Sequence, residues 1–289
     1  MQTLPAHASD CHMHVFGPFD RYPLAAERAY NVPEALLAAH ERMKRKVGLE
    51  RTVLVQASGY GTDNRAMLAA LNELGARGRA VAVVGRATPM SELEKMNEAG
   101  VRAVRLNLLT LPVRYSGDPA ALLDDFDRLV APLGWHLQLF AAPATLVSLF
   151  PAIERCKAGV VIDHMGLPDA ALGIGQPAFQ SLLRLAAAKR VWVKVSGADR
   201  ITRSSGRLRD AIAFIGALAA AAPDRLVWGS DWPNIGFHAG KQVHDDTILP
   251  HRELDAGELL DLLAEAVPDA RTRAAILVRN PERLYGFGS

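Results

Sequence analysis

Two histidines stand two residues apart near the N-terminus, His12 and His14 in the stretch SDCHMHVFG. His164 follows an aspartate in VVIDHMG, and Asp231 lies inside WGSDWP. Imidazole exchanges protons near neutral pH and donates to a developing oxyanion; with a carboxylate it also forms the donor set of a divalent metal site. In an extended segment the two-residue spacing predicts His12 and His14 on one side, with Cys11, Met13 and Val15 on the other. Two buried imidazoles on one side of a strand are unfavourable unless something uses them. His40, His136, His238, His244 and His251 lack such a setting and read as solvated or structural. Cys11 and Cys156 read as small buried hydrophobes.

The elements that must position these residues are visible in the spacing of apolar runs. Eight recur along the chain: DCHMHVF, RTVLVQAS, AVAVVG, VRAVRLNL, HLQLFAA, GVVIDHMG, VWVKVSG and LVWGSDWP. Each is nearly continuous, as strands covered on both faces of a parallel sheet should be, and the gaps between them have room for a crossover helix. Their ends are expected near His14, Ser58, Gly85, Asn107, Ala141, His164, Gly197 and Asp231. Asp63 precedes Met67, Leu68, Leu71 and Leu74 at helical spacing, with a stop at Gly75. Asp255 and Glu258 open a second helix through Leu259, Leu260, Leu263 and Val267, closed by Pro268.

Eight βα units with right-handed crossovers predict a (β/α)8 TIM barrel, a single domain over residues 1–289. An open doubly wound sheet is the runner-up, but no Gly-x-Gly-x-x-Gly follows any of the runs. In a barrel, polar residues at the C-terminal strand ends meet on one rim. His12, His14, His164 and Asp231 would share that rim with Arg105, Asn107, Lys194 and Arg200. The long link over residues 15–50 is placed to cover the mouth.

A net charge of +2 without a basic block offers no footprint for nucleic acid or an anionic membrane. The expected partner is therefore a small molecule, and a homo-oligomer is left open. Two cysteines, no apolar leader and no long apolar run lead to the expectation of a reduced, cytoplasmic protein.

The chain resembles the amidohydrolase superfamily, amidohydrolase-2 group, in His12-Met13-His14, His164, WGSDWP around Asp231 and the closing NPERLYGF. That resemblance implies a divalent metal that activates water. A binuclear site would want ligands at the ends of strands four and five, where this chain has Arg105-Leu106-Asn107 and Leu139-Phe140-Ala141. A mononuclear zinc site of His12, His14, His164 and Asp231 remains an alternative.

SDCHMHVFGPFDRYPLAAERAY, LVQASGYGTDNRA, VRAVRLN, VVIDHMG and KVSGADR resemble the 2-pyrone-4,6-dicarboxylate hydrolase family of lactonases more closely. This resemblance implies a hydrolase without an essential metal or other cofactor, acting on a small anionic lactone in aromatic catabolism. It implies Asp231 as general base and His12, His14 and His164 around the reacting carbonyl. Tyr30, Ser58, Arg105 and Arg200 would contact substrate. Leu167 stands where the family has arginine, Phe140 where it has tyrosine, and Arg114 is the nearest candidate for an arginine after strand four. The natural lactone is thereby left open among pyrones, muconolactones and sugar-acid lactones. The rival readings are a metal-dependent hydrolase or decarboxylase, a lactone isomerase and a non-catalytic sugar-acid binder.

Overall fold

Eight short segments rich in Val, Leu and Ile pair side by side in chain order to form one parallel sheet. The first four strands are β1 (Ser9–Met13), β2 (Arg51–Val55), β3 (Gly78–Ala82) and β4 (Val101–Asn107). They are followed by β5 (His136–Phe140), β6 (Val160–Ile162), β7 (Trp192–Val195) and β8 (Leu226–Trp228). This computed structural model describes residues 3–110, 117–237 and 248–288; Arg114, His238 and His244 lie outside the described residues.

The ring closes just beyond β8. Met13 bridges Trp232 in parallel, Asp231 N donates to His12 O at 2.8 Å, and His14 N donates to Trp232 O at 2.8 Å. The fold is the (β/α)8 barrel that the repeated pattern predicts.

Helices α1 (Leu37–Val47), α2 (Arg65–Leu74), α3 (Met90–Ala99), α4 (Pro119–Val130), α5 (Pro143–Arg155) and α6 (Pro177–Ala187) link the first seven strands. The one-turn α7 (Ala198–Ile201) and α8 (Ala211–Ala221) lead to β8, and α9 (Ala256–Ala266), α10 (Ala270–Ala274) and α11 (Asn280–Tyr285) complete the chain. In α2 the buried Met67, Ala70, Leu71 and Leu74 follow the expected 3-4 spacing, and the chain turns at Gly75 with φ +55°. Asp255 caps α9 through the Gly257 N–H, as its sequence suggests.

All the strands except β4 stop one to three residues short of the ends expected from sequence, so His14, His164 and Asp231 sit just past them while His12, Arg105 and Lys194 lie within β1, β4 and β7. After β6 and β8 the reason is local backbone: His164, Met165 and Asp231 have φ of 50°, 56° and 59°, a left-handed region that a strand cannot hold. Residues of this kind, held against their preference, gather where the surrounding structure fixes them.

The expected alternation along β1 fails at one position. Asp10 pairs with Thr52 and Met13 with Leu54, so three steps along β1 match two along β2, a β-bulge at Cys11–His12. Cys11 therefore does not share a layer with Met13 and Val15. It packs inside the barrel with Val53, Val55, Val81, Ala103, Val161 and Val227, while Met13 and Val15 join the layer between strands and helices. Tyr285 and Phe287 plug the same interior from the N-terminal end. At the opposite end the link after β1 packs Phe16, Tyr30, Val32 and Ala35 against Ala57, Tyr60 and Ile235, beside the site.

Candidate active site

The bulge aims His12 inward beside Cys11, and the next inward residue of the chain is His14. Gly229, just past β8 across the closing seam, makes room: a Cβ there would stand 2.5 Å from His12 Cβ. Gly197, at φ +63°, does the same for His164, whose Nδ1 would lie 2.9 Å from an added Cβ. Asp231 is carried in by its own hydrogen bond to the His12 carbonyl, so the contacts that close the ring also deliver the carboxylate to the imidazoles.

Four groups converge. Asp231 Oδ1 lies 3.7 Å from His12 Nε2, 3.7 Å from His14 Nε2 and 3.8 Å from His164 Nε2, and it is buried without a hydrogen-bond partner among the described residues. His12 Nε2 and His14 Nε2 are 3.3 Å apart. The other ring nitrogens are anchored, His14 Nδ1 to Val55 O at 2.8 Å and His164 Nδ1 to Ser196 Oγ at 2.9 Å.

Burial works against an ionised Asp231, but Arg200, His164, His14 and His12 outweigh it and hold the carboxyl well below the usual carboxylate range. Burial pushes His164 down to about 3, so it is neutral at physiological pH. His12 is likewise driven well below its ordinary value, by burial first and then by the Lys194 ammonium.

The arginines expected to contact substrate are both paired with carboxylates. Arg200 Nε and Nη2 each lie 2.7 Å from Asp231 Oδ2. Arg105 Nε donates to Asp163 Oδ2 at 3.0 Å, an oxygen that also accepts from Gln138 Nε2 at 3.1 Å. Phe140, standing where the resembled family has tyrosine, lies under the Arg105 guanidinium at 5.1 Å and edge-on to His164 at 5.2 Å. Tyr30 and Ser58 are brought together, hydroxyl to hydroxyl at 3.0 Å, and both Arg105 and Arg200 are near enough to act electrostatically on the Tyr30 hydroxyl.

Sequence reasoning passed over several residues that buttress this constellation. Asp10 Oδ1 accepts from the backbone N–H groups of His12 and Ser230, and its Oδ2 accepts from His40 Nε2 and Ser230 Oγ, tying β1, α1 and the segment after β8 together. Burial alone would raise the Asp10 pKa, but His40 and Ser230 bring it below its ordinary value. His40 is thus structural, as read. Asp199 pairs with Arg252 at 2.6 Å, and Arg252 Nη2 lies 3.9 Å from Asp231 Oδ2. Asp10, Ser230 and Asp199 are single polar letters beside more conspicuous ones, and their partners lie far off in sequence.

The donor set admits a metal by geometry. His12, His164 and Asp231 offer ligand atoms mutually within 4.8 Å, and zinc–nitrogen bonds of about 2.0–2.1 Å would set neighbouring tetrahedral ligands about 3.4 Å apart. The charges oppose it: Lys194 Nζ is 3.4 Å from His12 Nδ1, and Arg200 grips the far oxygen of Asp231.

The barrel and this rim constellation define a class, and the amidohydrolase family profile matches residues 9–287: the chain belongs to that family. Among individual proteins it is 35% identical to a 4-sulfomuconolactone hydrolase of Rhizobium radiobacter, over 98% of this chain and 91% of that protein. It is 34% identical to a 2-pyrone-4,6-dicarboxylate hydrolase of Comamonas testosteroni, with the same shares of the two chains covered. A solved structure from Pseudomonas putida, provisionally described as a 2-pyrone-4,6-dicarboxylic acid hydrolase, superposes with a TM-score of 0.80 at 33% identity, covering 99% of this chain and 100% of that one. No helix among the described residues is long and apolar enough to cross a membrane.

Proposed function

We propose that this chain hydrolyses a carboxylated lactone, with Asp231 as the base that activates water and without an essential metal. The observation that carries the reading is the buried Asp231 Oδ1, without a hydrogen bond of its own, facing three imidazole Nε2 atoms at 3.7–3.8 Å. Lactone chemistry is further supported by the relatives, whose names specify a sulfomuconolactone and a pyrone dicarboxylate.

Opening the ring requires a new bond from water oxygen to the carbonyl carbon, an oxyanion held in the transition state, and a proton for the departing ring oxygen. Asp231 takes the water proton and returns it to that ring oxygen. The imidazoles around it supply a hydrogen-bond donor to the carbonyl oxygen as charge develops. Arg105 and Arg200 orient the substrate carboxylate, which fixes the carbonyl before Asp231. Arg200 has a second effect. A carboxylate held far below neutral pKa is a weak base, and a substrate anion that competes for Arg200 loosens its pair with Asp231 and restores basicity.

A panel of pyrone, muconolactone and sugar-acid lactones, followed by acid release, tests this reading. Asp231→Asn is expected to lower kcat by about 10²–10⁴-fold with binding retained. Near wild-type turnover in that variant removes Asp231 from the role.

The grouping of His12, His164 and Asp231 ligand atoms within 4.8 Å, with His14 Nε2 3.3 Å from His12 Nε2, favours a second reading, in which His12, His14, His164 and Asp231 hold one divalent ion. When bound, such an ion would act as a Lewis acid on water. Metal content of the purified protein, with chelator treatment and zinc or manganese re-addition, separates the two. Activity lost to chelator and restored by metal selects the second. A product that is a rearranged lactone rather than a hydroxy acid would instead place the chain beside its relative D-galactarolactone isomerase of Agrobacterium fabrum, 28% identical over 98% of this chain and 92% of that protein.

A further inference from the structure

The interior of the barrel holds a fully buried lysine that the reaction scheme above does not use. Lys194 projects from β7, donates from Nζ to Cys11 O at 2.8 Å and lies 3.4 Å from His12 Nδ1. Asp163 Oδ1 is also 3.4 Å from that ring nitrogen, but 4.0 Å from Nζ. We propose that Lys194 is a positioning residue that fixes which nitrogen of His12 carries the proton, so that His12 and His14 face the reaction centre in opposite states, one as donor and the other as acceptor.

The direction of the chain follows from groups that can only donate or only accept. Val55 O accepts only, so His14 Nδ1 must carry a proton, and a ring with that single proton presents a lone pair at Nε2. His12 Nε2 stands 3.3 Å from that lone pair, and two lone pairs at this distance would repel; His12 must therefore be protonated at Nε2. Its Nδ1 is then an acceptor, and an ammonium, with three donors and no lone pair, is the group that satisfies it. One line of hydrogen bonds runs from Lys194 through His12 and His14 to Val55. Asp163 competes for the same ring nitrogen and would select the opposite tautomer, its attraction raising the pKa of His12 and lowering its own. Its Oδ2 is already taken by Arg105 and Gln138, however, and its Oδ1, 3.4 Å from Nδ1, is not aligned for a hydrogen bond as the lysine is.

The chemical consequence is a division of labour in the histidine pair. His12 offers an N–H to the carbonyl oxygen, the donor that the proposed hydrolysis requires, and His14 offers a lone pair. An imidazole held in the Nε2–H state has no lone pair for an ion at that nitrogen, which is the position the second reading needs it to fill. The tautomer assignment stands on geometry alone; its kinetic consequence rests on the lactone-hydrolase reading.

The test is nitrogen NMR of the full chain with both histidine ring nitrogens labelled, at neutral pH and without ligand. The His12 signals are identified by their loss in His12→Asn. His12 is expected to show a protonated, pyrrole-like Nε2 and a pyridine-like Nδ1. In Lys194→Met the two exchange, as a protonated Nδ1 donates a hydrogen bond to Asp163 Oδ1, and kcat falls about 10²–10³-fold with KM little changed. Asp163→Asn, which leaves the lysine in place, keeps the wild-type His12 pattern. A wild-type His12 protonated at Nδ1 overturns the proposal, whether or not Lys194→Met folds. So does a His12 that responds to Asp163→Asn and not to Lys194→Met. Absence of turnover on every lactone would leave the nitrogen spectra standing and count against the function instead.

Discussion

Arg105 and Arg200 differ in what they hold before substrate arrives. Arg200 places two donors on one oxygen of Asp231, whereas Arg105 grips Asp163, a carboxylate one residue before His164. Removing Arg105 therefore leaves Asp231 paired and removes a cation from the substrate side. Arg105→Met is expected to raise KM for carboxylated lactones by about 10-fold or more, in line with about 1.5–3 kcal/mol for a charge-assisted hydrogen bond, and to affect neutral lactones less. Steady-state kinetics on a matched acid and ester pair checks this; equal losses on both would end the clamp assignment. The histidine pair, His164 and Asp231 were legible from sequence because such residue types are costly to bury without a partner or a use. Asp163 and Lys194 were legible as letters but not as a pair of competitors for one ring nitrogen, because that depends on distances of a few tenths of an ångström across strands.

At the scale of elements, the eight βα units were legible because each strand lies in a nearly continuous apolar run and helices such as α2 and α9 repeat at 3-4 spacing. The bulge at Cys11–His12 was not. Nothing in SDCHMHVFG marks an extra residue, and strict alternation misplaces Cys11 by one layer. The strand ends were overestimated for a related reason: residues such as His164 and Asp231 look like strand continuations but adopt positive φ. The glycine facing the bulge is the element-scale counterpart of the converging imidazoles and Asp231. In Gly229→Ala the new Cβ would meet the His12 backbone nitrogen at 2.8 Å as well as its Cβ at 2.5 Å, and backbone cannot swing aside as a flexible side chain does. The expected result is a loss of about 1–3 kcal/mol in stability together with a fall in kcat of about 10²-fold from displacement of the imidazole. Urea unfolding and kinetics on the same preparation measure both, and wild-type values for the two would show that the seam has slack.

For the molecule as a whole, the buried imidazoles set how stability responds to acid. His136 and His164 are pushed by burial down to about 3, and His12 is lowered as well. In the unfolded chain histidine takes up a proton near pH 6.5, so between about 6.5 and 3 the unfolded state binds protons that the fold refuses. Stability therefore falls as pH drops through that window. Asp10, Asp163 and Asp231, held below their ordinary values, act in the same direction lower down: their contribution is present above about pH 3.9 and is lost as pH falls further. The urea midpoint is expected to be lower at about pH 5 than at about pH 7, before the carboxylates contribute; a flat profile would mean that the imidazoles are charged in the native state. The circular order of strands carries a separate implication. Since the last joint of the ring is made by the same peptide groups that hold residue 231 against residue 12, a molecule with that joint sprung retains its helices and most of its ladder yet has no working centre. Mild denaturant should therefore extinguish turnover ahead of the far-ultraviolet signal, making enzymatic activity a sensor of whether the cylinder is shut.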